Sequence, residues 1–186
     1  MTQPARLKAV SHLKHKDRRS REHLYESEVE ALIQAAKQGR NPIRNQTLIL
    51  ICYKHGLRPG EACDLRWGDI DFENGEIYVS RVNGLHSVHP LGKREVSLLK
   101  RLYKERHNST YVFTTTHGSV LTAGNFSKIM LNAGVRAGLL MPIHPQQLRH
   151  STCHKLLSEG VDVKTVQRYL GHADRHHTLR YKEKPA

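Results

Sequence analysis

Apolar residues recur along this chain in two rhythms, one helical and one alternating. Between Tyr25 and Arg40, Val29, Leu32, Ile33 and Ala36 fall at helical spacing and Gly39 marks a stop. The next stretch opens on Asn41 as a cap with Pro42 in the first turn. It ends at Gly56, and Leu48, Ile49, Ile51 and Cys52 predict a buried helix. In "LRPGEACDLRW" Pro59 suits a first helical position, with Glu61 and Leu65 on one side of a short helix. "DIDFENGEIYVSRVNGLHSVHPL" then alternates as strands, with turns at Asn74-Gly75 and Asn83-Gly84.

Helical spacing returns in "GKREVSLLKRLYKER", where Val96, Leu99, Leu102 and Tyr103 are expected to face inward. "TYVFTT" reads as a short strand. "TAGNFSKIMLNAGVRAG" reads as a helix capped by Thr122, with Phe126, Ile129, Met130 and Ala133 in the core. Pro145 begins and Gly160 follows a helix carrying "QQLRHSTCHKLL". The last predicted helix packs Val163, Val166, Tyr169 and Leu170 and stops at Gly171, so His172 emerges at its end. The expected fold class is therefore α+β, mainly helical, with a small antiparallel sheet.

Composition narrows the partners. The 186 residues suit one domain with a real core, and 30 Lys and Arg against 17 Asp and Glu give a net charge of +13. That surplus favours a polyanion, nucleic acid first, although a ribosomal or merely soluble basic protein would share it. Residues 1–22 are basic and almost free of large apolar side chains. Arg18, Arg19 and Arg21 there suit an arm that neutralises phosphates without reading sequence. Residues 23–186 form the expected domain. Cys52, Cys63 and Cys153 are odd in number and lack paired spacing, which fits a reducing cytosol. No secretory signal, membrane-length apolar run or internal repeat is visible.

Four residues suggest phosphodiester chemistry. Arg58 and Arg149 each offer a guanidinium that binds two phosphate oxygens in parallel. His172 can donate a hydrogen bond or move a proton. Tyr181, nine residues later, has a phenol able to form an ester with phosphorus. Glu61 could hold a neighbouring guanidinium in place. Lys128 and Arg136 read equally as phosphate contacts or as solvated charges. His176 and His177 lack acidic or thiolate partners at ligand spacing, so no metal is expected.

The elements "GLRPGE", "LRWGDID", "LRH" and "LGH", followed by that tyrosine, resemble in order and spacing the tyrosine site-specific recombinases of the phage-integrase family. Size and the segment "LHSVHPLGKREV" are most similar to the short bacterial DNA invertases that switch fimbrial genes. The resemblance spans Leu24 to Tyr181. It implies a tyrosine-recombinase catalytic domain without a separate core-binding domain. It also implies Arg58, Arg149, His172 and Tyr181 as catalytic residues and a 3′-phosphotyrosyl intermediate. No cofactor is implied. The expected partner is double-stranded DNA, bound by a homotetramer on paired sites in the cytoplasm, at the nucleoid. Inversion or integration would be the outcome.

Two positions depart from the family pattern. Counted back from Pro90, the family's catalytic lysine is replaced by Val82. Gln146 stands where His-x-x-Arg has its histidine. Val82 cannot donate a proton, and Gln146 can hydrogen-bond a phosphate oxygen but cannot carry charge. Arg81, next to Val82, is an auxiliary candidate, though its guanidinium is a poor general acid. Lys93 fits a helix start better, and His150 lies about 100° round the helix from Arg149. The competing expectation is a DNA-binding relative with impaired or lost catalysis.

Overall fold

A computed structural model describes residues 22–81, 83–106 and 108–172 together with Thr178. The helices are α1 (Glu26–Ala36), α2 (Pro42–His55), α3 (Pro59–Cys63), α4 (Lys93–Lys104), α5 (Ala123–Arg136), α6 (Gln146–Ser158) and α7 (Val163–Leu170). Between α3 and α4 lie β1 (Ile70–Asp71), β2 (Glu76–Ser80) and β3 (His86–Pro90), an antiparallel sheet in the order β1-β2-β3. This is the mainly helical α+β architecture that the periodicities predict.

The fold is arranged around α2. Its run from Leu48 to Cys52 is wholly buried, because α1, α3, α4 and α6 all pack against it. A helix enclosed in this way must satisfy its polar side chains locally. Thr47 does so by donating to the Ile43 carbonyl at 2.7 Å and Gln46 by donating to the Pro42 carbonyl at 3.0 Å. At its C-terminal end Gly56 turns left-handed (φ 58°). A side chain there would collide with Leu170, so α2 and α7 meet only because residue 56 lacks one.

The sheet follows its pleat. Ile77 and Val79 point into the core, while Tyr78 and Ser80 face outward, opposite Val88 and His86. The next inward position is Arg81, which is 4% exposed.

Several local expectations are corrected. "TYVFTT" forms only the isolated bridges Arg66–Tyr111 and Thr114–Val120, because Val112 and Phe113 are consecutive buried residues on a bending backbone. On α4 the buried apolar positions are Leu98, Leu99 and Leu102. Val96 is half-buried, and Tyr103 lies at the rim, edge-on to Trp67. The cause is Glu95, which turns inward to bind His55 Nε2 at 2.7 Å and sets the rotation of the helix. On α7, Val166 and Leu170 are buried, Val163 is half-buried, and Tyr169 stacks on His89 at 3.9 Å. Asn41 precedes α2 in a left-handed conformation, and its amide binds Thr116 rather than capping the helix.

Candidate active site

Arg58 occupies the N-cap of α3. Pro59 fixes the first helical residue, and Glu61 reaches back to accept the Arg58 backbone N–H at 2.8 Å. The Arg58 guanidinium, one third exposed, donates through Nη1 to Glu61 Oε1 at 3.0 Å. Arg81 Nη1 donates to the other carboxylate oxygen at 2.9 Å, and Arg149 Nη1 lies 3.9 Å from that same oxygen. Three guanidiniums thus meet one carboxylate and leave a surplus of two positive charges.

The two buried arginines are held by helix ends. Arg149, on the first turns of α6, donates to the Gly56 carbonyl and the Leu170 carbonyl, each at 2.6 Å. Arg81 donates to the carbonyls of His55 at 3.1 Å, Gly56 at 3.3 Å and Tyr169 at 2.6 Å. These acceptors are the last carbonyls of α2 and α7, where the helix dipoles are negative.

Burial, reinforced by repulsion from Arg58 and Arg81, pushes the Arg149 pKa down to about 10. Burial also lowers Arg81, against the pull of Glu61. For the Glu61 carboxyl, burial is the largest influence and acts to raise its pKa. The Arg58 N–H and the charges of Arg81 and Arg149 outweigh it and hold the carboxyl below its ordinary range.

His172 follows Gly171, which ends α7 in a left-handed turn (φ 64°). A Cβ on Gly171 would lie 2.7 Å from Arg81 Cγ, so the turn packs directly on that arginine. The imidazole Nδ1 of His172 pairs with Thr178 Oγ1 at 2.8 Å, and Thr178 is fully buried. This contact sets the ring's orientation. Asn83 adds a tie from the β2–β3 turn to the Gly171 carbonyl at 3.2 Å.

Arg58, Glu61, Arg149 and His172 are thus grouped where the C-terminal ends of α2 and α7 meet. Arg81 lies beneath the cluster, with both terminal nitrogens engaged, rather than at its surface. Gln146 is half-buried one turn before Arg149 on α6. Lys128 is exposed on α5 and lines a separate cavity. Tyr181, Val82, Arg18, Arg19, Arg21, His176 and His177 lie outside the described residues. Among the described residues no group of three His, Cys, Asp or Glu side chains could hold a metal, and no helix is long and apolar enough to cross a membrane.

Sequence reasoning missed Thr178 and the helix-end carbonyls. It also missed a buried set in which His55 pairs with Glu95 and approaches His89 Nδ1 at 3.3 Å. The only advance signal was parity along β2, which puts residue 81 inward.

Residues 22–186 match the phage integrase family. The type 1 fimbriae regulatory protein FimB of Escherichia coli is 39% identical over 171 residues, covering 89% of this chain and 86% of that protein. FimE of the same species is 36% identical over 168 residues, covering 87% and 85%. The tyrosine recombinase XerD of Listeria innocua is 33% identical over 140 residues, covering 71% of this chain and 47% of its own length. Among solved structures, the XerA recombinase superposes with a TM-score of 0.78 at 24% identity, a likeness of fold, over 88% of this chain and 60% of that one. XerH bound to its difH substrate before cleavage gives a TM-score of 0.78 at 27% identity, over 89% and 51%. The arginine cluster thus sits in a chain that belongs to the phage integrase family, the tyrosine-type DNA recombinases.

Proposed function

We propose that this recombinase cuts and rejoins DNA at specific sites with Tyr181 as nucleophile and Arg58, Arg149 and His172 around the scissile phosphate. One observation carries the reading: Arg58 and Arg149, with Arg81 beneath them, gather at the single carboxylate of Glu61 with positive charge to spare, and Arg149 is bonded to the Leu170 carbonyl two residues before His172. That surplus opposes charge building on a pentavalent phosphate. Glu61 and the helix-end carbonyls hold the arginines before DNA arrives, so little reorganisation is needed at the moment of reaction.

In the proposed reaction, the Tyr181 oxygen forms a bond to phosphorus and the bond from phosphorus to the 5′ oxygen breaks. The 5′ oxygen leaves as a hydroxyl after taking a proton. A 5′ hydroxyl of a second strand then attacks the phosphotyrosyl ester, restoring the phenol. The ester conserves the bond energy, so no external energy source enters. Inversion of a short segment is the expected outcome, by likeness to the fimbrial regulators. Residues 1–22 would act as a basic arm on the backbone, and a homotetramer would hold paired sites at the nucleoid.

The test is covalent trapping. Nicked duplexes carrying candidate inverted repeats are incubated with the protein and run on a denaturing gel beside Tyr181→Phe. A DNA–protein adduct that disappears in Tyr181→Phe is expected. Sequence-specific binding without an adduct would sink the catalytic reading and favour a relative that only binds. In that event Val82→Lys with Gln146→His should restore cleavage if those positions are the lesions, since a lost general acid costs roughly 10²–10⁴ in rate.

A further inference from the structure

We infer that a basic pocket at the N-terminal end of α2 binds one backbone phosphate of the DNA, away from the phosphate that is cut. The inference rests on the recombinase reading and adds to it a second anchoring site. The cavity, about 280 Å³, lies between the α1–α2 turn, the Thr115–Thr116 turn and one face of α5. Arg40, Arg44, Lys128 and Arg136 line it, and none of its lining residues is acidic. Among the described residues no carboxylate pairs with any of the four. The catalytic cluster differs in having Glu61 built in.

The pocket is framed by fixed groups. Arg44 is half-buried, and it donates through Nε and Nη2 to Asn45 Oδ1 (3.0 and 2.8 Å) and through Nη1 to the Thr114 carbonyl (2.8 Å). Those partners hold its charge in place without neutralising it, and burial lowers its pKa. Asn45 also binds the Arg40 carbonyl at 2.9 Å, and Asn41 pins the turn to Thr116 at 3.2 Å. Gly39 lets Arg136 lie against this turn, since a Cβ there would be 3.2 Å from Arg136 Nη1. Lys128 and Arg136 are two turns apart on the same stripe of α5. A held, partly desolvated cation group without a counter-ion is costly alone, and a phosphate oxygen offsets that cost. The 14 residues of α2 separate the pocket from the arginine cluster. That is roughly 20 Å, or about six base pairs of B-DNA rise, within reach of the same duplex.

The experiment combines Arg40→Gln, Lys128→Gln and Arg136→Gln, all at exposed positions, with a melting curve to confirm folding. Affinity for a duplex of arbitrary sequence, about 30 base pairs long, is measured by fluorescence anisotropy between about 50 and 200 mM salt. Losing one phosphate contact should reduce the slope of log K against log salt by ~0.9. An unchanged slope overturns the pocket. So does a fall near ~2.7, which would mean three separate surface contacts. A control set, Lys100→Gln, Arg101→Gln and Lys104→Gln on α4, removes equal charge and should leave the slope in place; an equal fall there also overturns the proposal. If inorganic phosphate raises the melting temperature through these residues while the slope is unaffected, the site is for a free anion and not DNA. Should the unmodified protein form no Tyr181 adduct while the pocket variant still loses ~0.9, the recombinase chemistry fails and the pocket stands.

Discussion

Replacing Glu61 by glutamine tests how the arginine cluster is held together. The carboxylate accepts the Arg58 N–H at 2.8 Å, Arg58 Nη1 at 3.0 Å and Arg81 Nη1 at 2.9 Å, and lies 3.9 Å from Arg149 Nη1. Its side chain is 2% exposed and that of Arg81 1%, so water screens little of the Arg81 pair. Glutamine keeps one acceptor oxygen but turns an NH₂ toward a guanidinium and removes the negative charge that three arginines share. Breaking a buried pair from one side costs about 3–5 kcal/mol. A domain stable by about 5–15 kcal/mol should still fold. Urea denaturation at pH 7 should show that loss, and the rate of Tyr181 adduct formation should fall with it. Because its neighbours hold the Glu61 pKa below the ordinary 4.5, its contribution is complete above that pH and fades as pH falls further. The gap between Glu61→Gln and the unmodified protein should therefore close in acid. A loss under about 1 kcal/mol would refute the assignment of Glu61 as the hub.

Other expectations follow from the same geometry. Gly171→Ala must place a side chain at φ 64° and against Arg81. It should cost at least about 1–2 kcal/mol in denaturant and slow adduct formation more than it weakens DNA binding. Thr178→Val removes the Nδ1 partner of His172. Losing about 1 kcal/mol of orientation should slow adduct formation roughly fivefold, with Thr178→Ser restoring the rate and DNA affinity unchanged in both. His89 is pushed down to about 3 by burial, then by His55 and Arg81. It stays neutral in the folded state while the unfolded chain protonates below its ordinary 6.5, so stability should fall as pH drops from 6.5 toward 3. Between pH 6.5 and about 5 that loss is roughly 1.6 kcal/mol, and denaturation series at the two pH values should show a smaller loss in His89→Leu.

The helices were readable in the sequence because each buries a stripe whose spacing is local. Leu48, Ile49, Ile51 and Cys52 announce α2, and Phe126, Met130 and Ala133 announce α5. Glu95 was not readable as a core residue, because its partner His55 is 40 positions away and only that pairing explains its burial. The same distance problem hides the architecture of the site. "SRVNGL" and "LRH" supply Arg81 and Arg149, but their acceptors come from pairing the end of α2 with the end of α7, carbonyls that no side-chain pattern encodes. Helix C-termini always leave such carbonyls to be satisfied. Here four of those carbonyls, from His55, Gly56, Tyr169 and Leu170, are satisfied by cations, so Arg81 and Arg149 are structural ties between helices as well as sources of field. Arg58, anchored among the described residues to Glu61 and one third exposed, is the member of the cluster that can adjust to a phosphate. The glycines at 56 and 171 follow from that arrangement. A side chain at either would push apart the helix end it terminates and the neighbour that the buried arginines draw in.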